Sequence, residues 1–233
     1  MKAAVILFPG SNCERDTYYA LEQMGFEPYY LWHRSEKMED RTVLAVLPGG
    51  FSFGDYLRTG AIACHSPVMK AVRKFSAGGG LVLGICNGFQ ILTESGLLPG
   101  VLQINTSLQF HCHDVFLTCE NSETPFTSGV KGTLKLPIAH YEGNYFIEKK
   151  DFPGLTKNNQ IAFSYATPEG KKSRRFNPNG SISDIAGVMN REKNILGMMP
   201  HPERAIEQIL GGSDGSMIFR SLFASLKKGG RKK

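Results

Sequence analysis

The chain of 233 residues has no apolar run near the roughly 20 residues that a bilayer-spanning helix needs, so a membrane-embedded class is not expected. The run Ala3 to Phe8 stops at Pro9-Gly10, short of the roughly 7–15 residues of an export-signal core, and reads as a first strand. Cysteines are few and unpatterned: five, at 13, 64, 86, 112 and 119, an odd number with no repeated close spacing. That argues against a disulfide framework or a zinc ribbon, and it makes a reducing, cytoplasmic setting the expectation. No metal-ligand set and no phosphate-cradling GxxxxGK[ST] loop is present, so nucleotide chemistry is not expected on this chain.

Surplus charge is also scarce. The net charge is +6, but Lys227, Lys228, Arg231, Lys232 and Lys233 carry five of those charges, leaving +1 for the rest. This run, split by Gly229-Gly230, reads as a solvated tail over 227–233 behind a single domain at 1–226. A second cluster, Lys171, Lys172, Arg174 and Arg175, sits among Pro, Asn and Gly and reads as loop. Neither run predicts a nucleic-acid partner.

With 41% hydrophobic and 21% charged residues, the chain has the composition of a globular protein with a sizeable core. Apolar β-rich runs at 3–8, 28–32, 43–47 and 81–85 alternate with helical patterns at 14–24, 62–75 and 88–94, the signature of an α/β fold with a parallel sheet. From Val101 the pattern shifts to short strands at 114–119, 132–139, 144–147 and 161–166, expected as a smaller antiparallel excursion. A last strand at 194–199 and a closing helix at 214–226 complete the reading.

In open α/β sheets, ligands bind at the carboxyl ends of the strands, which directs attention to the residues just after each strand. Within GLVLGICNGFQILTESGLL (80–98), Cys86 stands between an apolar β-branched run and a helix-forming run, with Gly84 and Gly88 on either side. A side chain at so sharp a strand-to-helix turn adopts a strained backbone, and the glycines remove the clashes that would forbid it. The spacing therefore predicts a nucleophile elbow. Its sulfur sits at the positive end of the next helix, where free N–H groups favour an anion. Cys13, in PGSNC, also follows a strand but lacks the two-sided glycine frame, and is not expected to be the nucleophile.

A thiolate that attacks an acyl carbon needs a proton carrier, a group to orient it, and donors for the oxyanion. His201-Pro202-Glu203 supplies the first two. Pro202 pushes His201 out of helical geometry, and residues i and i+2 of an extended segment share a side, so Glu203 can hold one imidazole nitrogen while the other faces Cys86. The His-x-Glu spacing also occurs in zinc deaminases, but their P-C-x-x-C partner is absent. The N–H of Asn87 and one from Gly49-Gly50, assigned to Gly50, are the expected oxyanion donors. A peptidase, a deglycase or a non-catalytic binding subunit on this fold remains compatible with these residues alone.

The same residues carry a resemblance. GICNGFQ, the PGG turn and PHPE are similar to the motifs of class I glutamine amidotransferases, whose flavodoxin-like fold the chain is then expected to adopt. LPGGFSFGDYLRTGAIA (47–63), PIAHYEGNY (137–145), NQIAF (159–163), NGSISDIAGV (179–188) and GMMPHPER (197–204) resemble one branch of that family, over roughly residues 3 to 226. The resemblance implies hydrolysis of L-glutamine through a Cys86 thioester, with His201 as acid and base and Glu203 holding the imidazole. It also implies glutamine contacts from Gly49, Gln90, His140 and Gly143. The ammonia is expected to pass to an ATP-dependent synthase subunit that makes formylglycinamidine ribonucleotide, in purine biosynthesis, with a small bridging subunit between the two. ATP and magnesium belong on that partner, and no cofactor is expected on this chain. Two departures stand out: Cys64 where an Arg is usual after AIA, and Glu14 where Asp is usual. The roles of Asp55 and Arg58 stay open between loop structure and partner contact.

Overall fold

Residues 1–229 are described by a computed structural model; Arg231, Lys232 and Lys233 of the expected basic tail lie outside the described residues. The first half alternates as its sequence pattern predicts: β1 (Lys2–Leu7), α1 (Glu14–Gln23), β2 (Glu27–Trp32), β3 (Thr42–Leu47), α2 (Pro67–Ala77), β4 (Leu81–Ile85) and α3 (Asn87–Glu94). The second half contributes β5 (Val101–Gln103), β6 (His111–Cys119), β7 (Leu134–His140), β8 (Asn144–Phe146), α4 (Phe152–Lys157), β9 (Ile161–Ala166), β10 (Ile185–Met189), β11 (Ile195–Met198) and α5 (Ser216–Gly229).

Nine strands form one sheet in the order β2-β1-β3-β4-β11-β10-β9-β6-β7. The strands from β2 to β11 pair in parallel, and β10, β9, β6 and β7 continue the same sheet antiparallel. The antiparallel strands thus extend the main sheet, while β5 and β8 form a separate two-stranded ladder. The residues of β4 and β11 are all buried, and so are those of β10. Such uninterrupted apolar strands belong to a sheet covered on both faces.

The helix expected over 62–75 is broken. Ser66 takes an extended conformation (φ −63°, ψ 146°) ahead of Pro67, because the proline ring crowds a helical residue before it, and a short 3-10 turn at Ala63–His65 precedes α2. At the other end α5 runs through Gly229, so Lys227 and Lys228 lie in its last turn rather than in a tail. Cationic side chains there face the negative end of the helix, which favours that extension. No helix among the described residues is long and apolar enough to cross a membrane.

Candidate active site

Because β1, β3, β4 and β11 are parallel neighbours, their carboxyl ends open on one edge of the sheet, and the loops after them converge there. Cys86 follows β4 at the centre. Its backbone has φ 50° and ψ −106°, a strained conformation for a residue with a Cβ, and it caps α3, whose Phe89 and Gln90 N–H groups donate to its carbonyl. The turn is possible because the chain is bare around it. A Cβ on Gly84 would lie 2.8 Å from the carbonyl of Gly88, and one on Gly88 would overlap the backbone of Leu47. The first turn of α3 is therefore seated directly on β3 and β4, and the predicted elbow is present.

The Cys86 N–H donates to the carbonyl of Met198 in β11, at 2.8 Å, and its sulfur lies 3.6 Å from the carbonyl of Ala139 in β7. The loop after β11 carries the other two triad candidates. The His201 N–H is tied to the carbonyl of Pro137, and its Nδ1 shares a 2.6 Å hydrogen bond with Oε1 of Glu203. Both side chains are buried, which strengthens that pair over one in water. Burial alone would lower the imidazole pKa, but the Glu203 carboxylate and the sulfurs of Cys86 and Cys13 outweigh it and hold the pKa well above its usual 6.5. Nε2 of His201 and Oε2 of Glu203 are buried without hydrogen-bond partners.

Asn87, the other expected oxyanion donor beside Gly50, is the first residue of α3, so its N–H has no intrahelical acceptor. Gly50 has φ 149° and lies so close to the loop after β1 that a Cβ would meet Ser11 Cα and Asn12 N at 2.7 Å. At Gly49 a Cβ would sit 2.7 Å from Cε1 of His201 and 3.0 Å from Sγ of Cys13. The PGG turn thus leaves just enough room for the imidazole.

Of the expected glutamine contacts, Gly49 thus lies against His201, while Gln90, His140 and Gly143 form a second group. Gln90 is buried one turn into α3; its Nε2 donates to the carbonyl of Glu142 at 2.6 Å, and its Oε1 accepts from Asn87 Nδ2 at 3.0 Å. Gly143 covers the ring of His140, where any Cβ would collide. Burial, with a smaller contribution from His201, lowers the His140 pKa to about 3, so this imidazole is neutral, and neither of its nitrogens has a partner. Arg58 is bonded through both Nε and Nη2 to the carboxylate of Glu94 in α3, which makes it a brace of its own loop. Asp55 accepts from Asn87 Nδ2 at 3.3 Å.

Sequence reasoning missed one group. Arg204 donates through Nε to Asp16 and through Nη2 to Cys13 Sγ, at 3.0 and 3.2 Å, bringing the loop after β1 against His201. Only its position directly after PHPE hinted at that.

The family described as the CobB/CobQ-like glutamine amidotransferase domain matches residues 1–212. The chain belongs to that glutamine amidotransferase family. Within it, the chain is 53% identical over 231 residues to the phosphoribosylformylglycinamidine synthase subunit PurQ of Koribacter versatilis, covering 98% of this chain and all of the relative. It is 51% identical to the PurQ subunit of Moorella thermoacetica, covering 99% of each. Among solved structures, a chain of PurLQS from Thermotoga maritima superposes with a TM-score of 0.86 at 42% identity, covering 97% of this chain and 98% of that one. The glutamine amidotransferase fold accounts for the parallel half of the sheet and for the loops that converge on Cys86.

Proposed function

We propose that this chain is the glutaminase subunit of phosphoribosylformylglycinamidine synthase, with Cys86, His201 and Glu203 as its catalytic residues. The strained, glycine-framed Cys86 beside the buried His201–Glu203 pair carries the reading, in a chain whose full-length relatives are PurQ subunits.

Cys86 gives its proton to Nε2 of His201, and its sulfur attacks the side-chain carbonyl carbon of glutamine. The oxygen that takes up the negative charge is received by the N–H groups of Asn87 and Gly50. His201 returns the proton to the departing nitrogen; the C–N bond breaks, ammonia leaves, and a thioester remains on Cys86. A water then loses a proton to His201 and adds to the thioester, and the thiol departs with that proton, leaving glutamate. Glu203 stabilises the imidazolium in both halves. Gly49, Gln90, His140 and Gly143 border the substrate, and Gln90 must exchange a bond to Glu142 or Asn87 for one to glutamine.

The chemistry uses only protein groups, so the chain takes no cofactor. ATP and magnesium serve the synthase subunit that receives the ammonia and converts formylglycinamide ribonucleotide to its amidine. A small third subunit bridges the two, and the assembly works in the cytoplasm. The test is a glutamine-mimicking electrophile followed by peptide mapping, with the synthase present. A single adduct at Cys86 is expected, and Cys86→Ser should abolish it and lower glutaminase kcat by about 10⁴-fold or more. An adduct at Cys13, or none, would refute the assignment.

A further inference from the structure

Under the proposed function Gln90 borders glutamine, and the hydrogen bonds around it fix which end of its side-chain amide the substrate meets. An amide can be turned end for end with little change of shape, so its polarity is set by partners that cannot turn. Here two main-chain groups set it, one at each end of a short chain of bonds. The Ser52 N–H, which can only donate, is bonded to Oδ1 of Asn87 at 3.2 Å. Nδ2 of Asn87 therefore points the other way, and it donates to Asp55 Oδ1 at 3.3 Å and to Gln90 Oε1 at 3.0 Å. At the far end the Glu142 carbonyl, which can only accept, takes Gln90 Nε2 at 2.6 Å. Turning either amide would set donor against donor at one end and oxygen against oxygen at the other.

The two partners of Gln90 are not equally free. Asn87 is 1% exposed, and both hydrogens of its amide are in use. Glu142 is half-buried on the turn between β7 and β8. The bond to Glu142 is thus the one that glutamine replaces, and Asn87 keeps its hold on Oε1. The group set free is an N–H donor. Glutamine's α-ammonium offers only donors, whereas its α-carboxylate is a charged acceptor that suits such a group.

We propose that the Asn87 side chain is a specificity-determining positioning residue: by holding Oε1 of Gln90 it makes the site select a substrate with a free α-carboxylate. The proposal rests on the reading that Gln90 borders glutamine. It is separate from the backbone N–H of Asn87, which serves the oxyanion.

The test compares hydrolysis of glutamine by the assembled synthase with that of glutamine α-methyl ester, which lacks the carboxylate charge. The readout is the ratio of the two kcat/KM values. In a chain carrying Asp55→Asn and Asn87→Asp together, the bond between the two positions and the local charge are kept, and the Ser52 N–H still meets an acceptor. Position 87 can no longer donate, so Gln90 turns over and shows its oxygen. The ratio is expected to move about tenfold or more towards the ester, the scale of a hydrogen bond to a charged group. Asn87→Ala, which removes the donor without adding charge, should move it the same way and decides the matter where the double variant fails to fold. Asp55→Asn alone should leave the ratio at the parent value. A disturbed loop slows both substrates alike, so an unchanged ratio in the Asn87 variants overturns the proposal, as does an equal shift from Asp55→Asn alone. If Gln90→Ala leaves the ratio unchanged, the reading of Gln90 as a substrate contact fails with it. If Gln90→Ala shifts the ratio and the Asn87 variants do not, only the role of Asn87 is refuted.

Discussion

At Cys86 a buried sulfur, a left-handed backbone and a helix N-terminus coincide in one residue, and the strain is sustained by neighbours that give up their side chains. Gly49 shows how little slack remains on the imidazole side. Gly49→Ala would place a methyl 2.7 Å from Cε1 of His201, and the flexible partner in that contact is the imidazole itself. Misplacing a reacting group by about 1 Å costs on the order of 10²-fold in rate. Glutaminase kcat is therefore expected to fall by about that factor while thermal unfolding stays near that of the parent chain. Unchanged kcat would show that His201 has no need of its present position. At this scale the centre was legible wherever its residues fall in one short motif, as Cys86 with Asn87 and Gln90 do, or His201 with Glu203. The Cys13–Arg204–Asp16 contact was not, because its partners are separated by 188 residues or more and no periodic pattern announces them.

The elements were legible in proportion to how strongly their pattern repeats. The buried runs of β1, β3 and β4 announce themselves through near-continuous apolar sequence. The expected helix at 62–75 failed where Pro67 follows Ser66. Both β10, with a glycine at its centre, and α4, with Pro153 and Gly154 in six residues, lie below what composition signals. The segment after β3 is the most contorted: Phe53, Asp55 and Leu57 all have positive φ. Its Asp55 carboxyl is raised from an ordinary 3.8 to about 6, chiefly by burial and next by the nearby Glu142 carboxylate. A raised carboxyl pKa means that the folded state keeps a proton which the unfolded state has lost. Its stabilising contribution is full below about pH 3.8 and is gone once the pH passes about 6. The carboxyl still sees solvent, so the swing is on the order of 1 kcal/mol. Asp55→Asn should accordingly gain stability relative to the parent chain between about pH 4 and pH 7, as read by urea unfolding. A difference that does not change with pH would remove the carboxyl as its source.

For the molecule as a whole, the parallel half of the sheet brings four loops to one edge, and the surface around them is unusually apolar. Leu57 is 81% exposed on the loop after β3, and Leu108 is 70% exposed between β5 and β6. Both loops are tied by hydrogen bonds to residues of the site. Asn87 links the first to the elbow through Ser52 and Asp55, and Asn105 links the second to the carbonyl of His140 and the N–H of Gly143. Large apolar side chains held in solvent beside a reactive centre mark a surface that a partner covers. The similar Thermotoga maritima chain comes from a structure of PurLQS. A synthase that receives ammonia from this site is expected to dock over the loops that border it. Leu57→Asp and Leu108→Asp introduce charge at exposed positions, so neither should alter the unfolding of the isolated chain. Both are expected to weaken association with the synthase by about tenfold or more, read by analytical ultracentrifugation, and to lower synthase-dependent glutamine hydrolysis in step. The first loop also carries Gly50, the expected oxyanion donor, and Asn105 of the second ties down Gly143, so docking there would bear on the backbone around the site. If both variants assemble normally, the synthase docks elsewhere.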